Sequence, residues 1–320
     1  MTKLSLKRRT VIGAAAALFT PALVRAGTLR HFDLLIDWKP APTYAGFFLA
    51  RETGAFRRRG LDVRIAEGRG ANIAADMAGR GQEYWLASSS AAATAIGRSR
   101  GLPVRSLAVY YERTPTVLYS RTDKPIETPR DFPGKRIGLV PGSITVEEYR
   151  GLLAANNIDR SKITEVDVDW DATPLLDSKV DGLLDYEEIT PAELEAHGHR
   201  IHVMRLANHG VRTYSLNLIV NETAWADPAR REIARKAMEA VQEGYQFLCD
   251  RPDEATRIFG NLFLDQSARY LKLSLPIVAR ELNPSIGRQT RQGWQDTIRM
   301  LSSLGLLTRP VSADEVAIYD

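Results

Sequence analysis

The sequence has very little cysteine, and its excess of positive charge is confined to one end. Among 320 residues there is one cysteine, Cys249, which excludes an intramolecular disulfide framework and a cysteine-rich zinc site. The formal net charge is +4, but residues 1–26 hold five Lys or Arg and no acid. Removing those five from the 43 basic residues leaves 38 against 39 acidic ones. The rest of the chain therefore lacks the basic surface that nucleic-acid binding needs, and we expect no nucleic-acid partner.

Residues 1–26 have the three parts of a signal peptide. A basic stretch contains Arg8 and Arg9, an apolar run extends over 11–24, and Ala26 stands just before Gly27. The run of about 14 residues is shorter than the roughly 20 that a permanent spanning helix needs. The paired arginines resemble a twin-arginine signal; an ordinary secretory signal and an uncleaved anchor are the alternatives. We expect cleavage after Ala26 and a mature protein in the bacterial periplasm.

From residue 29 onward, short β-type runs alternate with amphipathic helical runs, which predicts an α/β fold. With 44% hydrophobic residues, the chain is long enough for one large or two ordinary domains. The predicted strands lie near 30–37, 61–66, 84–87, 104–111, 116–120, 135–140, 163–168, 180–185, 201–205 and 213–221. From Asp227 to the end we expect almost only helix, beginning with Asp227 as the cap and Pro228 in the first turn.

Segment 116–212 has its own set of strand and helix units, entered after Thr114-Pro115 and left near Gly210. It therefore predicts an inserted second lobe. Residues 27–115 and 213–320 would form the first lobe, and a ligand cleft would lie between the two.

Ligands of open α/β sheets bind at the carboxyl ends of strands, and a group of polar, aromatic or glycine residues lies at or after predicted strands. The candidate ligand-binding residues are Trp38, Tyr44, Ser88, Ser89, Ser90, Tyr111, Gly142, Ser143, Asp185, Tyr186, Glu187, Tyr214 and Asn217. Trp38 lies on a loop stiffened by Pro40 and Pro42, where its ring could stack on a flat heterocycle; a core tryptophan is the alternative. The serines of 88–90 and 143 could contact ligand or cap helices.

Several motifs resemble the NMT1/THI5-like substrate-binding proteins of ABC importers. Segment 37–50 (DWKPAPTYAGFFLA) looks like the opening of that family, and similar motifs lie at 54–56, 60–63, 101–104, 131–138, 179–182 and 214–222. The resemblance covers most of residues 30–250. It implies a type II periplasmic binding protein fold, a small-molecule ligand, an inner-membrane ABC permease as partner, a monomer and no cofactor. The Trp38 loop and segment 214–217 most resemble the branch that binds thiamine pyrimidine precursors.

The Asp185-Tyr186-Glu187 turn would suit such a ligand. An aminopyrimidine presents N–H donors and a basic ring nitrogen, and a carboxylate accepts two such bonds side by side. We favour Glu187 or Asp185 as this acceptor, and the alternative is that the acids begin a surface helix. His197, His199 and His202 lack regular ligand spacing, so we expect no metal site.

The same resemblance includes pyrimidine synthases, which use a lysine to hold pyridoxal phosphate, an active-site histidine and a cysteine-rich run. The matching stretch here, 85–93 (WLASSSAAA), has neither Lys nor His. No nucleophile, base and orienting group form a recognisable motif either. We therefore expect a receptor and not an enzyme. Other cargoes remain open: a sulfonate, nitrate, riboflavin or an aromatic acid, of which the anions would require Arg, Lys or helix amides in the cleft.

N-terminal sequencing tests the leader. Periplasmic protein should begin at Gly27, because the small residue before it suits a signal peptidase. Replacing Arg8 and Arg9 with Lys should block export by the twin-arginine route. Full-length protein in the cytoplasm would contradict export, and unaffected export of the Lys variant would contradict that route alone.

Overall fold

The computed structural model describes residues 29–319, so the predicted signal peptide and its cleavage site lie outside the described residues. The strands, in chain order, are β1 (Arg30–Leu35), β2 (Leu61–Ala66), β3 (Leu86–Ser90), β4 (Val104–Tyr111), β5 (Thr116–Arg121), β6 (Arg136–Leu139), β7 (Thr164–Asp167), β8 (Gly182–Tyr186), β9 (Ile201–Arg205), β10 (Leu216–Asn221) and β11 (Leu282–Gly287). The predicted α/β class is confirmed.

The helices alternate with these strands up to β10 and then dominate the chain. They are α1 (Ala45–Glu52), α2 (Ala55–Arg58), α3 (Ala71–Arg80), α4 (Ala91–Ser99), α5 (Ile144–Ala155), α6 (Thr173–Leu176), α7 (Thr190–Ala196), α8 (Glu222–Ala226), α9 (Pro228–Asp250), α10 (Pro252–Leu262), α11 (Ala268–Glu281), α12 (Arg291–Ser303) and α13 (Ala313–Val316). Within the described residues, none of these helices has the length and apolar character to span a membrane.

The strands form two separate sheets. The six-stranded sheet has the order β11-β4-β10-β3-β1-β2, and the five-stranded sheet has the order β7-β6-β8-β5-β9. β1 runs parallel to β2 and β3, whereas β10 runs antiparallel to β3 and β4. The chain enters the five-stranded sheet after β4 and returns with β10. The assignment of 27–115 and 213–320 to one lobe and 116–212 to the other stays a prediction.

The C-terminal region differs from the expectation in one element. β11 interrupts what was predicted to be almost continuous helix, and its sequence, LNPSIG, carries no strand pattern. It pairs with β4 at its two ends, Leu282 with Tyr111 and Gly287 with Val109, with an irregularity between them. Pairing with β4 holds residues 282–287 as an edge strand, because the proline and asparagine in this segment disfavour a strand on their own.

Close packing of α1 against α9 fixes the loop that follows β1. Gly46 lies against the Tyr245 ring, and an added Cβ at Gly244 would lie 2.0 Å from the Gly46 carbonyl oxygen. The Tyr245 hydroxyl donates to the Thr43 carbonyl oxygen at 2.7 Å. Helix α9 therefore holds the start of α1 and the short 3-10 turn Pro42–Tyr44 in place.

Gly244→Ala should destabilise the fold by roughly 1–3 kcal/mol, because the added methyl group forces α1 and α9 apart. Gly260→Ala is the matched control, because Gly260 also lies inside a helix. An added Cβ there would lie 3.3 Å from Cδ1 of the flexible Leu271 side chain. The stability of this variant should stay within about 1 kcal/mol of the wild type, since alanine favours the helix. Urea unfolding measures both variants, and equal midpoints for the two would contradict the packing argument.

Candidate functional site

The loop after β1 is tied to the end of β3 through Asp37. The Asp37 backbone N–H donates to Ser88 Oγ at 2.9 Å, and the Ser88 hydroxyl donates to Asp37 Oδ1. The Tyr44 hydroxyl also hydrogen-bonds the Asp37 carboxylate, and burial raises the pKa of that group. Asp37, Ser88 and Tyr44 therefore lie together beside the carboxyl ends of β1 and β3, where ligands of open α/β sheets bind.

The other two serines of the triplet have structural partners. Ser89 Oγ donates to the Ala71 carbonyl oxygen at 3.1 Å, and Ser90 Oγ accepts from the Ala93 N–H at 3.1 Å as the N-cap of α4. Both side chains are buried. The capping alternative thus accounts for Ser90, and Ser88 is the member of the triplet that contacts the loop carrying Asp37.

Asp185 and Glu187, the two favoured ligand acceptors, are already paired with the protein. Asp185 accepts from the Tyr186 N–H at 2.7 Å and from Thr190 Oγ1 at 2.5 Å. Glu187 accepts two bonds from Arg205, at 2.7 and 2.6 Å, and one from Arg280 at 2.6 Å. Both oxygens of each carboxylate therefore already accept hydrogen bonds from the protein, and ligand binding by either residue stays a prediction.

The next acid, Glu188, points into the space between the two sheets. Its Oε1 accepts from Thr43 Oγ1 at 2.9 Å and from the Tyr111 hydroxyl at 3.2 Å. The side chain is fully buried, and Oε2 has no hydrogen-bond partner among the described residues. Burial raises the pKa of Glu188 to about 7. A buried carboxyl oxygen without a partner is costly, so this atom is the best-placed acceptor for a ligand.

Tyr186 lies among three acids that come from different elements. Its hydroxyl hydrogen-bonds Ser215, and burial together with Glu148, Asp37 and Glu188 raises its pKa well above the ordinary value. Glu148, on α5, accepts from Thr114 Oγ1 at 2.7 Å and from Thr116.

Burial also raises the pKa of Glu148 to about 7. The side chains that counter this effect at Asp37 and Glu148 are hydroxyl groups of Ser, Thr and Tyr. The surroundings of Tyr186 are therefore acidic and aromatic, and they favour a ligand that brings hydrogen-bond donors or positive charge.

Trp38 is exposed at the edge of this space and faces a second tryptophan that the sequence analysis missed. Its ring centroid lies 6.3 Å from that of Trp170, with an interplanar angle of 56°. Trp170 lies between β7 and α6, in a polar stretch without a periodic apolar pattern. Sequence reasoning had no signal for it beyond its place after a strand.

The remaining candidates divide between the two sheets. Gly142 has a φ of +76°, and the Ser143 hydroxyl pairs with Thr145 at 2.9 Å without capping α5. Tyr214 packs edge-to-face on Trp294 and bonds Thr290, and Asn217 donates to Thr94 Oγ1 at 3.1 Å. Tyr214 and Asn217 thus have partners inside the six-stranded half. Residues 29–319 contain no cluster of three or more His, Cys, Asp or Glu side chains able to hold a metal ion.

The fold is similar to that of a solved receptor. The periplasmic aliphatic sulphonate binding protein of Escherichia coli matches with a TM-score of 0.75 at 12% identity, over 89% of this chain and 96% of that one. The two sheets therefore define the periplasmic binding protein fold, as the resemblance implied.

A family model described as NMT1/THI5 like matches residues 41–255, and the chain belongs to the NMT1/THI5-like family. A riboflavin-binding protein of Chloroflexus aurantiacus is 26% identical over 94% of this chain and 89% of its own length. A formylaminopyrimidine-binding protein of Halalkalibacterium halodurans is 24% identical over 90% and 89%. A pyrimidine phosphate synthase of Saccharomyces cerevisiae is 31% identical, over 36% of this chain and 34% of its own.

The raised pKa of Glu188 predicts a pH-dependent stability. An unfolded glutamate titrates near pH ~4.3, so between that value and about 7 the folded protein holds a proton that the unfolded chain has released. The free energy of unfolding therefore falls as the pH rises through this window. Glu188→Gln should reduce this fall, from about pH 5 to 8, by roughly 2–3 kcal/mol.

Denaturant unfolding at several pH values measures this effect. Glu195→Gln is the control, because Glu195 is exposed on the following helix, α7, and its variant should keep the wild-type fall. A Glu188→Gln protein that loses as much stability with rising pH as the wild type would contradict the assignment.

Proposed function

We propose that the protein is the periplasmic substrate-binding component of an ABC importer and that it encloses a flat, donor-rich heterocycle between its two lobes. The observation that carries this proposal is the buried Glu188 carboxyl group: one oxygen accepts from Thr43 and Tyr111, and the other has no partner in the part of the chain that the structure describes. The two full-length relatives, named for riboflavin and formylaminopyrimidine, support a heterocycle as cargo. An inner-membrane permease would receive it, and the receptor would act as a monomer.

A thiamine pyrimidine precursor fits the chemistry of this site. Its amino group and a protonated ring nitrogen would donate to a carboxylate, and charge-assisted bonds of this kind are the stronger ones. Within residues 29–319, Glu188 Oε2 is an acceptor without a hydrogen-bond partner. Positive charge on the ligand would also stabilise the ionised forms of Asp37 and Glu148, which burial disfavours.

Aromatic rings would hold the plane of the ligand. Trp38 is 38% exposed beside the cleft, and Tyr44 and Tyr186 lie close to Asp37. A ring stacked on Trp38 would gain about 0.5–1.5 kcal/mol beyond burial. Together, the stacking and the carboxyl group would select for flat molecules that carry donors on one edge.

The same features disfavour the other cargoes to different degrees. A sulfonate or nitrate would face the carboxyl groups of Asp37, Glu148 and Glu188, which is unfavourable in a buried site. Riboflavin is the second candidate, because a relative that aligns with 94% of this chain is named for binding it. A synthase reaction is disfavoured, since residues 85–93 hold no Lys or His.

Isothermal calorimetry on site variants tests the proposal. Glu188→Gln keeps the shape and should weaken formylaminopyrimidine binding by about 1.5–3 kcal/mol, because the charge-assisted bond is lost. Trp38→Ala should weaken binding by roughly 1–3 kcal/mol through lost stacking and burial. Glu195→Gln, on the exposed face of α7, should bind like the wild type.

A panel of ligands separates the alternatives. Formylaminopyrimidine or hydroxymethylpyrimidine should bind more tightly than riboflavin, thiamine or taurine. Tight taurine binding, or pyrimidine binding that neither Trp38→Ala nor Glu188→Gln weakens, would contradict the proposed cargo.

A further inference from the structure

Two exposed tryptophans meet across the space between the sheets. Trp38 follows β1 of the six-stranded sheet, and Trp170 follows β7 of the five-stranded sheet. Their centroids are 6.3 Å apart, within the range of favourable aromatic pairs. Nevertheless the two residues are 38% and 50% exposed. Trp85 and Trp294, by contrast, are buried in the core, so this pair is placed at the surface by its loops.

Each ring is carried by a loop that is tied to its own sheet. The Trp38 carbonyl oxygen accepts from the Gly68 N–H at 3.3 Å. In the other loop, the Val168 N–H donates to the Leu139 carbonyl oxygen at 3.0 Å, and Asp171 Oδ1 accepts from the Thr173 N–H at 2.9 Å. Because neither loop is anchored on the opposite sheet by these bonds, the distance between the rings must change whenever the sheets move apart.

Polar groups lie directly behind both rings. Asp37 precedes Trp38 and bonds Ser88, and Trp170 lines the same small cavity as Asp185 and Thr190. Apolar rings beside these groups lower the local dielectric constant, which strengthens hydrogen bonds there. The contact therefore places an apolar pair beside polar groups of both halves.

We infer that Trp38 and Trp170 form an aromatic gate over the cleft and that Trp170 controls how fast the ligand leaves. This inference rests on the proposed function, because it requires a ligand enclosed between the lobes. Opening the gate separates the two rings, whereas a ligand entering an open cleft meets no such contact. The pair therefore slows dissociation more than association.

Stopped-flow binding of formylaminopyrimidine and riboflavin to the full chain tests the gate. Trp170→Ala should raise the dissociation rate about 3- to 10-fold and change the association rate by less than about 2-fold. Trp170→Phe should retain most of the wild-type behaviour, because it keeps a ring. Leu176→Ala is the matched control: Leu176 is another exposed apolar residue, 39% exposed, on the adjacent α6, and its loss should leave the rates unchanged.

Circular dichroism of the protein saturated with formylaminopyrimidine provides a second readout, because the gate is closed in that state. Two indoles in contact give an exciton couplet, which Trp38→Phe and Trp170→Phe should each remove to the same extent. Wild-type dissociation rates in Trp170→Ala, or a couplet that survives either substitution, would overturn the gate. A wild-type chain that binds neither heterocycle would instead contradict the proposed function, and the gate with it.

Discussion

The Glu188 carboxyl group is buried where the two sheets meet, and burying it is costly. The hydrogen bonds around it reduce that cost. Hydroxyl groups of Thr43 and Tyr111, both from the six-stranded half, donate to one oxygen. The other oxygen has no partner among the described residues. A proton offsets the cost, as the raised pKa of about 7 indicates, and a bound donor would do so as well. In the function that we propose, the same carboxyl group links protonation to ligand choice.

The direction of Glu188 follows from the geometry at the end of β8. β8 ends at Tyr186, and the chain then turns, with the Ile189 N–H donating to the Tyr186 carbonyl oxygen at 3.0 Å, so neighbouring side chains reach different surroundings. Asp185 accepts a hydrogen bond from Thr190 of the same half, and Glu187 accepts one from Arg280 of the six-stranded half. Tyr186 and Glu188 contact Ser215, Thr43 and Tyr111 instead. One short segment thereby supplies both an ion pair between the halves and the carboxyl group that we propose as the acceptor for the ligand.

The sequence alone predicted the features that depend on local pattern. Alternating runs located nearly all the strands, and the Asp227-Pro228 pair marked the start of α9, where Asp227 accepts from the Ala229 N–H. It could not predict β11, whose pairing comes from β4, or the choice between Glu187 and Glu188, which depends on where the arginines lie. Trp170 was missed for a similar reason, because what distinguishes it is its contact with Trp38, which is distant in the chain.

The central claim is that a cleft lined by buried acids and aromatic rings takes up a flat molecule that donates hydrogen bonds. Native mass spectrometry of the protein purified from its own periplasm tests this claim most directly, because it identifies a retained ligand without a prior choice of compound. We expect the added mass of a nitrogen-rich heterocycle, which Glu188→Gln protein should retain to a smaller extent. A retained sulfonate or other small anion would contradict it.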